Sequence, residues 1–392
     1  MLMLNEKHIT VVKSTIPLLE NAGPALTQHF YQRMFNHNPE LKDIFNMTHQ
    51  QTGRQSVALF EAIAAYAKNI ENLSALTQAV ERIAHKHTSF NIQAEHYQIV
   101  GHHLIETLRE LAPDTFTPEV EQAWTAAYLF LAQVFIDRED ALYQLNASLD
   151  GGWRGAREFT IDNKTVESDF VTSFELKPAD GRAIAGFKPG QYLGIEVKPT
   201  NSEHVEIRQY SLSQAPNGAS YRISVKREGE QSHEGNYQGV VSHFLHNELK
   251  VGDSLMVYPP AGDFYYQETD KPVVLIAAGV GATPIQAMAH TLANTHKANV
   301  SYFYACESKS EHTFADETKK LIELNNWQHQ TWYRDQHGMM DLGKIVDLPI
   351  VDGEFYLCGP VAFMESVVRQ LDAMNVSRES IHYEVFGPHA YL

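Results

Sequence analysis

The chain is poor in cysteine: its 392 residues hold two, Cys306 and Cys358. Two cannot build a disulfide framework, and their spacing is not that of a metal site. Both stand in apolar, strand-like runs, Tyr302 to Cys306 and Phe355 to Cys358, so buried free thiols are expected, as suits a reducing cytosol. Positive charge is scarce as well. Lys and Arg number 31 against 48 Asp and Glu, a net charge of −17, which argues against nucleic acid or an anionic membrane as a main partner. No apolar run reaches the roughly 18 residues of a membrane span, and no basic, apolar leader opens the chain. A soluble, cytoplasmic protein with no integral membrane segment is expected. Internal repeats and low-complexity segments are absent too. What the chain has in quantity is apolar and aromatic: 43% hydrophobic residues, with 19 Phe and 18 Tyr. That composition supports sizeable cores, and the length predicts two or three domains.

Residues 1 to about 148 read as helices only. Pro24 to Phe35 opens with proline at its first turn, where a missing N–H does no harm. Helical patterns follow over Gln55 to Ile70, Leu73 to His87, Glu95 to Leu111 and Pro118 to Leu145. Gly151, Gly152 and Gly155 then read as a linker. From about Phe159 to Phe264 short β-rich runs alternate with turn signals: Phe170 to Leu176, Tyr192 to Val197, Tyr221 to Lys226 and Ser254 to Tyr258. This predicts an antiparallel barrel. From about Lys271 strands and helices alternate, with Val273 to Ala278, Ile285 to Ala293 and Val300 to Cys306, a βαβ pattern that implies a mostly parallel sheet. The expected domains are 1–148, 153–267 and 270–392.

Of 20 histidines, His87 stands out. Ile83, Val80, Leu76 and Leu73 lie at helical intervals before it, so it should share their inward face. His85 shares a face with Glu81, Arg82 and Gln78 and should point to water. An inward histidine is more often packed and hydrogen-bonded than ligating. Tyr97 falls in phase with Val100, Leu104, Leu108 and Leu111, and its buried phenol needs a partner. Glu139 sits on the stripe of Tyr128, Leu131, Phe135 and Leu142, which is costly unless it is hydrogen-bonded. Either it escapes at a helix end, helped by Arg138, or it accepts from the second ring nitrogen of His87, orienting a ligating imidazole. Tyr31, among Phe30, Met34 and Phe35, is explained equally well by core packing.

The later segments carry nucleotide chemistry. In Arg208-Gln209-Tyr210-Ser211, the guanidinium can fork a phosphate, the tyrosine offers a face to an isoalloxazine, and the serine offers a hydroxyl to a ring nitrogen. Val225-Lys226 ends a strand. Gly239-Val240-Val241-Ser242 can supply small residues and backbone donors to a pyrophosphate, and Pro260-Ala261-Gly262-Asp263-Phe264 closes the barrel. In this order they resemble the FAD domain of ferredoxin reductase-type enzymes. Further on, Gly279-Val280-Gly281-Ala282-Thr283-Pro284 follows a buried strand and enters a helix, whose N-terminus favours phosphate charge. Pro284 stands where the dinucleotide fingerprint wants its third glycine. The run matches the nucleotide loop of that reductase family instead, as does Cys358-Gly359-Pro360.

Residues 1–148 in turn resemble the globin domain of the flavohaemoglobins. The likeness rests on Leu26-Thr27-Gln28-His29-Phe30-Tyr31-Gln32-Arg33-Met34-Phe35, on His37-Asn38-Pro39-Glu40-Leu41 and on Lys86-His87-Thr88-Ser89-Phe90, and with the reductase motifs it covers essentially the whole chain. It implies an all-α globin, an antiparallel β-barrel FAD domain and an α/β parallel-sheet NAD(P) domain, with haem b, FAD and NADH or NADPH as cofactors. His87 would be the proximal haem ligand, Tyr97 and Glu139 its partners, and Tyr31, Gln55 and Leu59 the distal pocket. Tyr192 would join the FAD contacts. The closing segment Tyr383-Glu384-Val385-Phe386-Gly387-Pro388 would cover the flavin through Phe386, and Glu384 would lie with Lys86 near the haem–flavin junction. The implied activity is NAD(P)H-dependent oxidation of NO by O2 to nitrate in a monomer. An NAD(P)H-driven haem or flavin reductase or oxidase, and a haem-based gas sensor or oxygen carrier, remain as alternatives.

Overall fold

A computed structural model describes residues 4–17, 23–45, 54–200, 202–229 and 239–387, with the side chains of Arg54 and Gln55 outside the described set. The chain forms two compact units. One is built on residues up to Ala147 together with Glu203–Ile207; the other runs from Ser148 to Gly387 without that segment.

The first unit is helical: α1 (Glu6–Ser14), α2 (Pro24–His37), α3 (Arg54–Lys68), α4 (Thr77–Thr88), α5 (Ala94–Leu111) and α6 (Pro118–Ser148). Pro24 occupies the first helical position of α2, where its fixed φ suits the helix. The stripe counted back from His87 is corrected at its start. Leu73–Leu76 is a 3-10 turn, and α4 begins only at Thr77. Leucines at three- and four-residue spacing satisfy either helix type, so periodicity alone does not separate them. The core divides in two. A large cluster gathers Phe30, Tyr31, Met34, Leu41, Leu108 and Trp124; a small one gathers Ala84, Phe135 and Leu142 with Val80, Ile83 and Tyr97; Leu131 borders both.

After α6 comes a six-stranded sheet of β1 (Arg157–Val166), β2 (Val171–Pro178), β3 (Tyr192–Val197), β4 (Glu206–Ser211), β5 (Tyr221–Lys226) and β6 (Ser254–Val257) in the order β4-β3-β6-β1-β2-β5. The pairs β1–β2, β1–β6, β2–β5 and β3–β6 are antiparallel, and a bridge between Leu212 and Ile223 joins the two ends of that order, curling the sheet towards a barrel. Of the glycines before β1, Gly151 is less free than a linker implies, while Gly155 has open space around it. A Cβ on Gly151 would lie 2.5 Å from the Ile184 carbonyl carbon, and Trp153 packs on the barrel core while its indole N–H donates to Val257 O at 3.2 Å. Helix α7 (Val240–Asn247) lies against the barrel. Lys164 Nζ donates to the carbonyls of Leu245, His246 and Leu249 at 3.1, 3.1 and 2.6 Å, a cation at a helix C-terminus.

Then β7 (Val273–Ala278), α8 (Ala282–Asn294), β8 (Val300–Cys306), α9 (Ala315–Asn325), β9 (Gln328–Tyr333), β10 (Glu354–Cys358), α10 (Val361–Ala373) and β11 (Ile381–Glu384) build a parallel sheet. Its order is β11-β10-β7-β8-β9. From β7 the chain builds outward to β9, then returns to the other side of β7 with β10, so the topological switch lies between β7 and β10. In such sheets ligands bind at the carboxyl ends beside that switch. The order expected from sequence, all-α then antiparallel β then parallel α/β, is the order observed. Cys358 is buried as expected, but Cys306 is only half-buried; its thiol donates to Ser308 O.

Candidate functional site

The end of α4 brings His87 to face α5 and α6. Its Nδ1 lies 2.7 Å from Glu139 Oε1 and 2.9 Å from Tyr97 Oη, and the Tyr97 hydroxyl donates to the same Glu139 oxygen at 2.5 Å. Burial and the adjacent carboxylate push the Tyr97 phenol far above its usual range, so it keeps its proton and donates a hydrogen bond to Glu139. A carboxylate oxygen only accepts, so Nδ1 of His87 carries the N–H towards Glu139, which in the neutral ring leaves the lone pair on Nε2. Nε2 has no hydrogen-bond partner among the described residues, and 32% of the His87 side chain stays accessible. Glu139 is buried. It does not escape along Arg138, whose guanidinium turns to Glu81 at 2.6 and 2.5 Å.

That second pair corrects the reading of His85. Its side chain is only 13% accessible, capped by Glu81 at 3.2 Å, so it points to a salt-bridged rim rather than to water. Partners, not exposure, distinguish the two histidines. Among the described residues no group of three or more His, Cys, Asp or Glu could hold a bare metal ion. One oriented imidazole instead fits a haem, which brings its own equatorial donors and asks the protein for an axial one.

Two features that the sequence reading missed support this arrangement. Tyr128 donates to the Tyr97 carbonyl at 2.5 Å, and Gly101 leaves space for its ring: a Cβ there would lie 2.3 Å from Tyr128 Cε1. A glycine inside a helix was the available signal. Tyr31 sits in the large cluster, ring to ring with Phe30, Phe35 and Phe45 at 5.0, 5.9 and 5.9 Å. Leu59 is partly buried against the same cluster. The Gln55 side chain lies outside the described residues. Lys86, in the last turn of α4, and Glu384, which ends β11, belong to different units.

In the barrel, β4 carries Arg208, Gln209 and Tyr210 half-buried and Ser211 buried. The Tyr210 ring packs on the barrel core, and burial raises its phenol well above the usual value. Tyr192 hydrogen-bonds with Ala261 through both backbone groups at 2.9 Å, and its ring lies 3.0 Å from where a Cβ on Gly262 would stand. Val225 is buried beside half-buried Lys226 at the end of β5. Gly239 caps α7, followed by Val240, buried Val241 and buried Ser242. The Ser242 hydroxyl accepts from Glu228 N at 3.2 Å and donates to Gly239 O at 3.0 Å. A Cβ on Gly239 would lie 2.6 Å from that hydroxyl, so the turn admits only glycine without rearrangement.

The two nucleotide loops meet at the sheet's switch point. Gly279 has φ +53°, a conformation glycine adopts freely, and a Cβ on Gly281 would fall 2.3 Å from Cys358 O and 2.6 Å from Gly359 N. The Thr283 hydroxyl donates to Val280 O at 2.9 Å. Pro284 is the third residue of α8, after Ala282 and Thr283, where helical N–H groups have no intrahelical partner. Pro360, behind Gly359, stands one position earlier than the helix itself, as the N-cap of α10. Past β11, Phe386 is 42% exposed and Gly387 has φ +105°; Pro388 lies outside the described residues. No described helix is long and apolar enough to cross a membrane.

Comparison with known proteins agrees with this order of sites. Residues 28–135 match the globin family, 158–266 the oxidoreductase FAD-binding domain and 275–369 the oxidoreductase NAD-binding domain. A flavohemoprotein of Vibrio cholerae serotype O1 is 66% identical over 396 residues, covering 100% of both chains. The solved flavohemoglobin of Malassezia yamatoensis, described with bound FAD and heme, is 26% identical with a TM-score of 0.85, covering 98% of this chain and 100% of that one. The solved FAD/NAD-binding domain of a nitric oxide dioxygenase from Vibrio cholerae O1 biovar El Tor is 57% identical with a TM-score of 0.58, covering 60% of this chain and all of that one. The chain belongs to the flavohaemoproteins, haem oxidoreductases in which a globin is joined to the FAD- and NAD-binding domains that supply its electrons from NAD(P)H.

Proposed function

We propose that this flavohaemoprotein is a nitric oxide dioxygenase. The observation that carries the proposal is the buried Glu139 carboxylate on His87 Nδ1, shared with the Tyr97 hydroxyl. Hydrogen bonding to the carboxylate raises the basicity of Nε2, and a stronger axial donor favours oxygen activation over reversible carriage. A carrier, moreover, needs no dedicated electron supply. The 57% identical reductase domain described as part of a nitric oxide dioxygenase lends support.

The chain's residues divide the work as three modules, 1–148, 153–267 and 270–392. Gly279 to Pro284 and Cys358 to Pro360 hold NADH or NADPH. Tyr192, Arg208, Gln209, Tyr210, Ser211, Val225, Lys226 and Gly239 to Ser242 hold the flavin, Gly387 and Pro388 join the cofactor-binding residues, and Phe386 covers the flavin where nicotinamide must enter. His87 would ligate b-type haem, and Tyr31, Gln55 and Leu59 would form the pocket that takes oxygen, Tyr31 as a hydrogen-bond donor. When bound, FAD divides a hydride into single electrons and haem supplies the oxygen chemistry. The balance is two NO, two O2 and one NAD(P)H giving two nitrate, one NAD(P)+ and one proton. We place this activity in a cytoplasmic monomer.

The test is consumption of nitric oxide by the purified, haem- and FAD-replete protein with NADH. Oxygen-dependent loss of NO with nitrate as product, two per NADH, is expected. NADH oxidation that NO does not alter would identify an oxidase or reductase instead. Haem that NADH cannot reduce anaerobically would identify a carrier or sensor.

A further inference from the structure

We propose that Glu317 is a positioning residue for hydride transfer, pinning the nicotinamide domain to the flavin strand through Arg222. Glu317 lies on α9 and Arg222 on β5. Glu317 Oε1 accepts from Arg222 Nη1 at 2.9 Å and from His290 Nε2, on α8, at 2.7 Å. One carboxylate on α9 thus holds both the barrel, through Arg222, and α8, through His290. All three side chains are largely covered, at 15%, 29% and 21% exposure for Arg222, Glu317 and His290, so solvent screens them weakly.

What Arg222 does with its other donors gives the contact its direction. Its Nε donates to Ser213 Oγ at 3.1 Å and its Nη2 to Ser213 O, while the guanidinium plane lies 5.2 Å from the Phe314 ring at the start of α9. Ser213 stands two residues past Ser211, the last residue of the strand bearing the flavin motif. It is backed by buried hydroxyls, Ser213 Oγ to Ser224 Oγ at 2.8 Å and Ser224 Oγ to Ser173 Oγ at 2.7 Å. On the other side, α8 begins at Ala282, directly after the Gly279–Gly281 turn, and the buried pair Thr318 Oγ1 to Gln286 Oε1 at 2.9 Å ties α9 to it. A continuous polar strut therefore runs from the flavin strand to the helix that carries the nucleotide loop. Buried polar networks that are satisfied throughout fix one arrangement of what they join. Hydride transfer depends steeply on the separation and angle of its two rings, and a displacement of about 1 Å can cost roughly 100-fold in rate.

The experiment is single-turnover reduction of FAD by NADH in Glu317→Gln and Arg222→Met, each in the full-length holoprotein. The rate constant should fall about tenfold or more, and the long-wavelength nicotinamide–flavin charge-transfer absorbance should weaken. NADH affinity should stay within about twofold, because Glu317 is not part of either nucleotide loop. The double variant should lose little more than either single one, as expected of groups acting as a unit. In the holoprotein, amide exchange over α8 and α9 should rise in both variants. Should Glu317→Gln fail to fold, Arg222→Lys, which keeps the charge and gives up the fork, should show an intermediate rate. A wild-type reduction rate in the folded variants, even with a lowered melting temperature, overturns the proposal.

Discussion

Two donors converge on one oxygen of Glu139, and this fixes what a conservative change does there. Glu139→Gln keeps an acceptor oxygen for His87 Nδ1–H but removes the negative charge that makes the imidazole a strong donor. Losing such an outer partner typically costs 10–100-fold in metal affinity or activity. The variant should retain haem, show a lower iron–histidine stretching frequency in the ferrous state, and turn over about tenfold more slowly; an unchanged frequency would sink the assignment. Another residue sets a pH limit. His103 is 2% exposed. Its Nε2 donates to Asn38 Oδ1 at 2.8 Å and its Nδ1 accepts from Arg33 Nη1 at 2.5 Å. Burial, then the Arg33 charge, lowers its pKa from 6.5 to about 4. In this window the unfolded chain binds a proton that the native one refuses, so stability falls as pH drops from about 6.5 to about 4 and the loss is complete below that. At about 1.4 kcal/mol per pH unit it amounts to roughly 3 kcal/mol. His103→Gln, which can still donate to Asn38 and accept from Arg33, should flatten the slope of denaturant midpoint against pH across that window.

Among the elements, the contact of α5 with α6 turns on a glycine. Gly101→Ala would gain up to about 1 kcal/mol of helix propensity, but its Cβ would meet the Tyr128 ring at 2.3 Å. Overpacking of this kind costs about 1–3 kcal/mol, and Tyr128 cannot swing away without giving up its bond to Tyr97 O. The clash should win: a net loss of melting temperature, together with weaker haem retention because Tyr97 moves with Tyr128. A rise in melting temperature would show that the ring relocates freely. Elements were legible in sequence to the extent that their burial is periodic or complete. Val273–Ala278 is buried at every position and reads as a central strand from its apolar run alone. Gln328–Tyr333 pairs with β8 on one side only and has three exposed residues at its start, so no hydrophobic pattern announced it. Likewise His87, Tyr97 and Glu139 could be placed on inward faces by phase, whereas Glu81, which caps His85, is itself paired with Arg138 from another helix, which no local pattern records.

At the scale of the whole molecule, His87, Tyr97 and Glu139 all lie in one compact unit, while the nucleotide loops, Tyr210 and the Arg222–Glu317 pair all lie in the other. The motifs of each unit were readable because each is local. Arg222 and Glu317 were not, since they stand 95 positions apart in segments whose own patterns are complete without them. This division has a kinetic consequence. His87→Ala removes the axial donor and leaves every residue of the reductase unit in place. Because the two units share none of these groups, the change should separate the two halves of the reaction. Nitrate formation from NO and O2 should fall by about 100-fold or more, in line with losing a group on which the chemistry depends. NADH-driven reduction of ferricyanide, which draws electrons from the flavin, should stay within about twofold of wild type. Both rates can be measured on one preparation whose FAD content is matched to wild type by absorbance. A parallel loss of ferricyanide reduction would show that the reductase unit depends on the haem unit for its own geometry. Undiminished nitrate formation would show that the imidazole is not the donor on which oxygen chemistry rests.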